Sequence, residues 1–129
     1  EVSADYVTVM ADDGTRRSVE RALGSYRDAR TAGMNAVQLV LATREPGAYG
    51  AELARYVAYG ASPRGTIALD RCARAHAWLS GRDYVTPEDV HAIAADVLRH
   101  RVLLSYEAEA EGVSSDRVVA MLLERVPLP

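Results

Sequence analysis

The 129-residue chain contains no lysine; all fifteen of its basic residues are arginine. Chemistry that needs an ammonium is thereby excluded: a phosphate-binding loop ending in GK[ST], a Schiff base and a lysine general base cannot be built from this sequence. Cysteine is nearly absent too. A solitary Cys72 forbids an internal disulfide and fits a reducing, cytoplasmic setting. There is no phenylalanine, no apolar run near the roughly 20 residues needed to cross a bilayer, and no basic amino-terminal segment of the kind that opens a signal peptide. Nor is there an excess of positive charge: 15 basic against 18 acidic residues give a net charge of -3, which disfavours nucleic acid as a partner. An initiator methionine is also missing, so the chain reads as an excised piece of something longer.

What is present suits one packed domain, since 49% of the residues are hydrophobic and the length is that of a single core. The spacing of apolar residues predicts a mainly α fold, a small helical bundle. Val7 and Val9 alternate like a short strand, and Asp13-Gly14 reads as a turn. A weak helix bearing Val19, Leu23 and Tyr26 follows, with Gly33 as its stop. A second helix is expected after Asn35, burying Val37, Leu39, Val40 and Leu41, and ending before Pro46. One or two helical turns over 51–59 place Leu53, Tyr56 and Val57 on one side.

The clearest signal is Ser62-Pro63, a capping residue followed by proline at the first helical position. The helix it opens carries Ile67, Leu69, Ala73, Ala75, Trp78 and Leu79, and Gly81 closes it. Thr86, Pro87 and Asp89 announce the next helix, with Val90, Ile93, Ala94, Val97 and Leu98 inside. Trp78, Leu79, Val90, Ile93 and Leu122 are the expected core. Tyr84-Val85 and Val102–Leu104 are β-prone and pair in this reading as a minimal two-stranded ribbon. A last helix starts at Ser114, with Val113 and Val118 as a hydrophobic staple, and stops at Pro127.

Arg64 is the residue most in need of an explanation. It lies in the first helical turn after Ser62, where the positive end of the helix dipole repels a cation. An anion at that helix end would reconcile the two, because backbone N–H groups and the guanidinium would converge on it and Gly60 would let the preceding backbone come close. Phosphate is the natural candidate; a solvated surface arginine is the plain alternative. Cys72 and His76 share a helix face at a spacing metal ligands use, but His91 and His100 belong to another helix. A buried cysteine with a half-buried histidine is therefore the better reading, and no metal site is expected. Arg99-His100-Arg101 reads as cationic capping of a helix end. Glu107, Glu109, Glu111 and Asp116 read as a solvated face. GASPR lacks the second glycine of GxSxG, so Ser62 is no nucleophile-elbow serine.

From Tyr59 onward the segments GASPR, GRDYVTPEDV and DVLRHRVLLSYEAEAEGV, covering most of residues 59–113, resemble the carboxy-terminal lid of MoxR-family AAA+ ATPases. LVLATREP at 39–46 and LARYVAYGASPR resemble the helix and loop that precede the lid core. The resemblance implies an AAA+ lid-type bundle over 34–129, with 1–33 an extension or the boundary to the ATPase core. It makes Arg64 the sensor-2 arginine, reaching nucleotide phosphates held by that core, with Gly60, Ser62 and Pro63 around it. It further implies ATP and Mg in the full-length parent, a hexameric ring, a chaperone-like role in maturing protein complexes, and partners with von Willebrand factor A domains. Walker A and Walker B motifs are missing from the chain, so no ATP hydrolysis by the chain alone is expected, nor any membrane contact. The rival reading is a free-standing helical interaction module in which GASPR only caps a helix.

Overall fold

The computed structural model describes residues 13–128; the expected strand at Val7 and Val9 lies outside the described residues. Among the described residues the fold consists of six helices and one short ribbon. Helix α1 (Asp13–Arg44) is followed by a 3-10 turn (Pro46–Tyr49), α2 (Ala51–Tyr56), β1 (Val57–Tyr59), α3 (Pro63–Leu79), α4 (Pro87–Leu98), β2 (Leu103–Leu104), α5 (Tyr106–Ala110) and α6 (Ser115–Arg125). The mainly α, small-bundle reading holds.

Helix α1 is one uninterrupted helix of 32 residues, where the sequence suggested a turn at Asp13-Gly14 and two helices parted at Gly33. An interior glycine costs about 1 kcal/mol relative to alanine. Here the long-range packing outweighs that cost, because Ala32, Ala36, Leu39, Val40 and Thr43 form a continuous buried stripe across the glycine. Asn35, expected just ahead of a helix start, is instead fully buried in mid-helix, with an amide that has no hydrogen-bond partner within the protein. Leu39 and Val40 are buried as expected, whereas Val37 and Leu41 are exposed. The side chains of Val19, Leu23 and Tyr26 lie outside the described residues.

Helices α3 and α4 pack on each other and on α1. The inner face of α3 is Gly65, Leu69, Ala73 and Ala77, one residue per turn and mostly small, which lets α4 lay Val90, Ala94, Val97 and Leu98 close against it. That narrow inner stripe corrects the expected core. Val90 and Leu122 are buried and Ile93 packs at the edge, but Trp78 is 75% exposed and Leu79 77% exposed. Both residues lie beyond the last small residue of the stripe, turned away by the 100° step of the helix. Ile67 and Cys72 are exposed for the same reason, so Cys72 is not the buried thiol expected of it.

The ribbon exists with a different partner. Leu103–Leu104 pairs antiparallel with Val57–Tyr59, Val57 opposite Leu104 and Tyr59 opposite Leu103 across a bulge, not with Tyr84-Val85. Ser105 locks this arrangement, its N–H donating to Tyr56 O at 2.8 Å and its hydroxyl to Arg55 O at 2.6 Å. Val85 is instead a buried residue of the α3–α4 connection. The short α5, which the sequence reading passed over, puts Glu107 and Glu111 on Arg55 at 3.5 and 3.1 Å, and Tyr56 donates its hydroxyl hydrogen to Glu111 at 2.6 Å. Asp116 accepts from Arg99 Nε at 2.6 Å. Three of the four acids read as a solvated face thus tie loops and helices together.

Candidate functional site: the amino-terminal end of helix α3

The segment Gly60–Ala61–Ser62 is fastened to the carboxy-terminal end of α1. The Thr43 hydroxyl donates to Val40 O at 2.6 Å and accepts the N–H of Ala61 at 2.9 Å, while Arg44 Nη1 donates to the Ala61 carbonyl at 3.3 Å. Both polar backbone atoms of Ala61 are therefore held. Gly60 is required by this docking: a methyl group there would fall 2.3 Å from the Thr43 carbonyl oxygen. Its lack of a side chain thus has a cause internal to the fold.

Ser62 then adopts the extended backbone of a capping position, with φ -77° and ψ 169°, and Pro63 takes the first helical position, as the sequence indicated. The Ser62 side chain makes no capping hydrogen bond, however, and the first turn of α3 contains no acidic residue. Arg64 is exposed in that turn. Among the described residues it forms no ion pair, whereas Arg55, Arg74, Arg82, Arg99 and Arg125 each have a carboxylate within 3.5 Å. The site is thus an undercapped helix end with a cation at its mouth, mounted on a loop hydrogen-bonded to α1. Such an arrangement favours an anion physically, since the helix dipole and the guanidinium both attract one.

The second polar centre lies at the start of α4. Asp89 is fully buried and accepts from Arg82 through both oxygens, at 2.6 and 2.8 Å, and from the Thr86 N–H at 2.8 Å. His76 Nδ1 is 2.7 Å from Asp89 Oδ1. An ionised carboxylate only accepts, so Nδ1 carries a hydrogen. The Arg82 guanidinium, with help from His76 and Thr86, holds the Asp89 carboxyl well below the usual carboxylate range despite burial. This cluster is a structural bolt joining α3, the connecting loop and α4. It also explains His76, which the sequence offered as a metal ligand beside Cys72. Among the described residues no group of three His, Cys, Asp or Glu side chains converges as a metal site would require, and His91 and His100 are not brought to Cys72 and His76. Nor is any helix among them long and apolar enough to cross a membrane.

Sequence reasoning missed Thr43 and Arg44 as the clamp on the GASPR loop and Asp89 as more than a first-turn acid. A Thr-Arg pair just before a helix-ending proline is the only local hint of the clamp.

Residues 51–122 match the family model of the AAA lid domain. The chaperone MoxR1 of Mycobacterium tuberculosis is 44% identical over 94 residues, 72% of this chain and 25% of its own length. Protein MoxR of Methylorubrum extorquens is 44% identical over 82 residues, covering 62% of this chain and 24% of that protein. A crystal structure of a protein from Cytophaga hutchinsonii assigned as an ATPase superposes with a TM-score of 0.74 at 39% identity, over 88% of this chain and 36% of that one. The chain spans about a quarter of the length of these two curated relatives. The family match takes in more than half of the chain and falls on the helices that present Arg64 and bury Asp89, so the chain belongs to the AAA lid domain family, in its MoxR-type form.

Proposed function

We propose that residues 34–129 close as a lid over a nucleotide held by an AAA+ core outside this chain, with Arg64 as the sensor-2 arginine that reaches the nucleotide phosphates. The observation that carries this reading is the unfinished start of α3: no side-chain cap, no first-turn acid, and an exposed arginine without a carboxylate partner among the described residues. An arginine held at a helix end that disfavours it is explained by an anion arriving from elsewhere. Ser62 and Pro63 fix the direction of the helix, and Gly60 fixes the loop against α1. Residues 1–33 form the connection toward the core in this reading.

The parent binds ATP and Mg in its core, hydrolyses ATP, and works as a ring, a hexamer, in the cytoplasm. Chaperone-like maturation of protein complexes, with von Willebrand factor A domain partners, is its role. The name of the tuberculosis relative, a chaperone, supports this. The chain alone supplies an arginine and a helix end, each charge-assisted hydrogen bond contributing roughly 1.5–3 kcal/mol, whereas micromolar binding needs about 8 kcal/mol. The isolated chain therefore shows no ATPase activity.

One observation favours a second reading, a helical interaction module without a nucleotide role. The outer face of α3 exposes Ile67, Trp78 and Leu79. The two readings separate in the full-length parent. Arg64→Ala leaves the melting temperature unchanged and lowers nucleotide affinity or turnover, while Arg74→Ala, which loses only an exposed pairing with Asp70 one turn earlier, changes neither. Equal behaviour of the two variants in hydrolysis assays would overturn the sensor assignment.

A further inference from the structure

The start of α3 gathers more positive charge than one sensor residue accounts for. Arg101, in the turn after α4, runs along the first turn of α3: a methyl group on the buried Gly65 would come within 3.8 Å of Arg101 Cδ. Its Nε is buried and has no hydrogen-bond partner, and among the described residues Arg101 forms no ion pair. Arg44 approaches the same loop from α1 through Ala61 O. The chain has more acidic than basic residues, and among the described residues five arginines are paired. Yet Arg44, Arg64 and Arg101, around residues 61–65, have no carboxylate partner among the described residues. Glu45, which shares a hollow with Arg44, Tyr59 and Gly60, is the nearby acid, and it is exposed. Arg71 and Arg117 are also unpaired, but both are exposed on helix surfaces. A half-buried arginine whose Nε has no partner, lying against the first turn of a helix, is unfavourable until an anion joins it.

We infer that Arg101 is a second anion-binding arginine of this site, gripping a polyphosphate chain together with Arg64. Two guanidiniums and a helix end suit the three to four negative charges of a triphosphate better than a monoanion. This rests on the phosphate-facing reading of Arg64. The aliphatic stem of Arg101 lies beside Gly65, so the turn after α4 reaches the first turn of α3.

The test is an NMR titration of this chain with sodium tripolyphosphate, following the Arg101 Nε–Hε signal and the amides of Arg64 and Gly65. All three shift along one binding curve. Arg101→Met keeps the stem and removes the charge; it weakens binding roughly fivefold without lowering the melting temperature, and Arg101→Lys restores most of the loss. Arg117→Ala binds like the parent chain. If Arg101→Met binds normally while Arg64→Ala is weakened, Arg101 merely packs and the sensor reading stands. If Arg101→Met is weakened and Arg64→Ala is not, Arg101 keeps its role and the sensor reading fails. No response to tripolyphosphate, or equal weakening by Arg117→Ala, overturns both.

Discussion

Helices α3 and α4 open with nearly the same residues, Ser62-Pro63 and Thr86-Pro87, and finish their first turns in opposite ways. In α4 the third helical residue is Asp89, buried against Arg82, His76 and the Thr86 N–H, so the positive helix end is neutralised from within. In α3 no acid is present, the serine caps nothing, and Arg64 adds to the positive charge. One helix end is a finished joint and the other has neither a side-chain cap nor an acid. If the proposed reading is right, variants at the first end should act on stability and variants at the second on nucleotide response.

The largest effect is expected at the finished end. Asp89→Ala strands Arg82 and His76 beside a buried gap and should lower the unfolding free energy by about 3 kcal/mol or more in a denaturant titration. The same carboxylate sets the response to acid. Its pKa in the folded chain lies below that of the unfolded chain, so its contribution is whole above about pH 4 and is lost as pH falls further. Asp89→Asn should flatten the loss of stability below about pH 4, and an unchanged acid profile would break the comparison.

Next comes the loop that presents the unfinished end. Gly60→Ala forces a methyl group onto the Thr43 carbonyl and should cost about 1 to 3 kcal/mol in thermal unfolding, since the neighbour in the way is backbone. Arg64→Asp runs the other way. It gives α3 the acid that α4 already has, so the isolated chain should be stabilised by about 0.3 to 1 kcal/mol while the parent loses nucleotide response. Stabilisation without that loss would make Arg64 an ordinary surface residue. The smallest effect is at Trp78→Ala, which should change stability by no more than about 0.5 kcal/mol because the ring is largely in solvent.

That last figure marks where the sequence stopped being legible. Helix starts at Pro63, Pro87 and Ser115 were readable because capping is chemistry between neighbours three residues apart. Arg64 was readable for the same reason, as a charge out of place within one turn. Which face of α3 turns inward was not, since Trp78 and Leu79 are more apolar than Gly65, Ala73 and Ala77. Close approach of α4 selects small residues over large ones, and only the neighbouring helix reveals it. Similar blindness hid the passage of α1 through Gly33, the pairing of Leu103 with Tyr59, and the meeting of His76 with Asp89, thirteen residues away. Arg101 was legible as a basic residue after a helix but not as a neighbour of Gly65.

The clamp of Thr43 and Arg44 on Ala61 ties the loop that precedes Arg64 to one end of a long helix. At 1.5 Å per residue, 32 residues span about 48 Å. Thr43 stands thirty residues from Asp13, so the clamp lies about 45 Å from the other end of the helix. A tilt of about 5° about the clamp would swing that far end by about 4 Å. A small rotation at the loop that bears Arg64 would thus correspond to a larger displacement at the far end of α1.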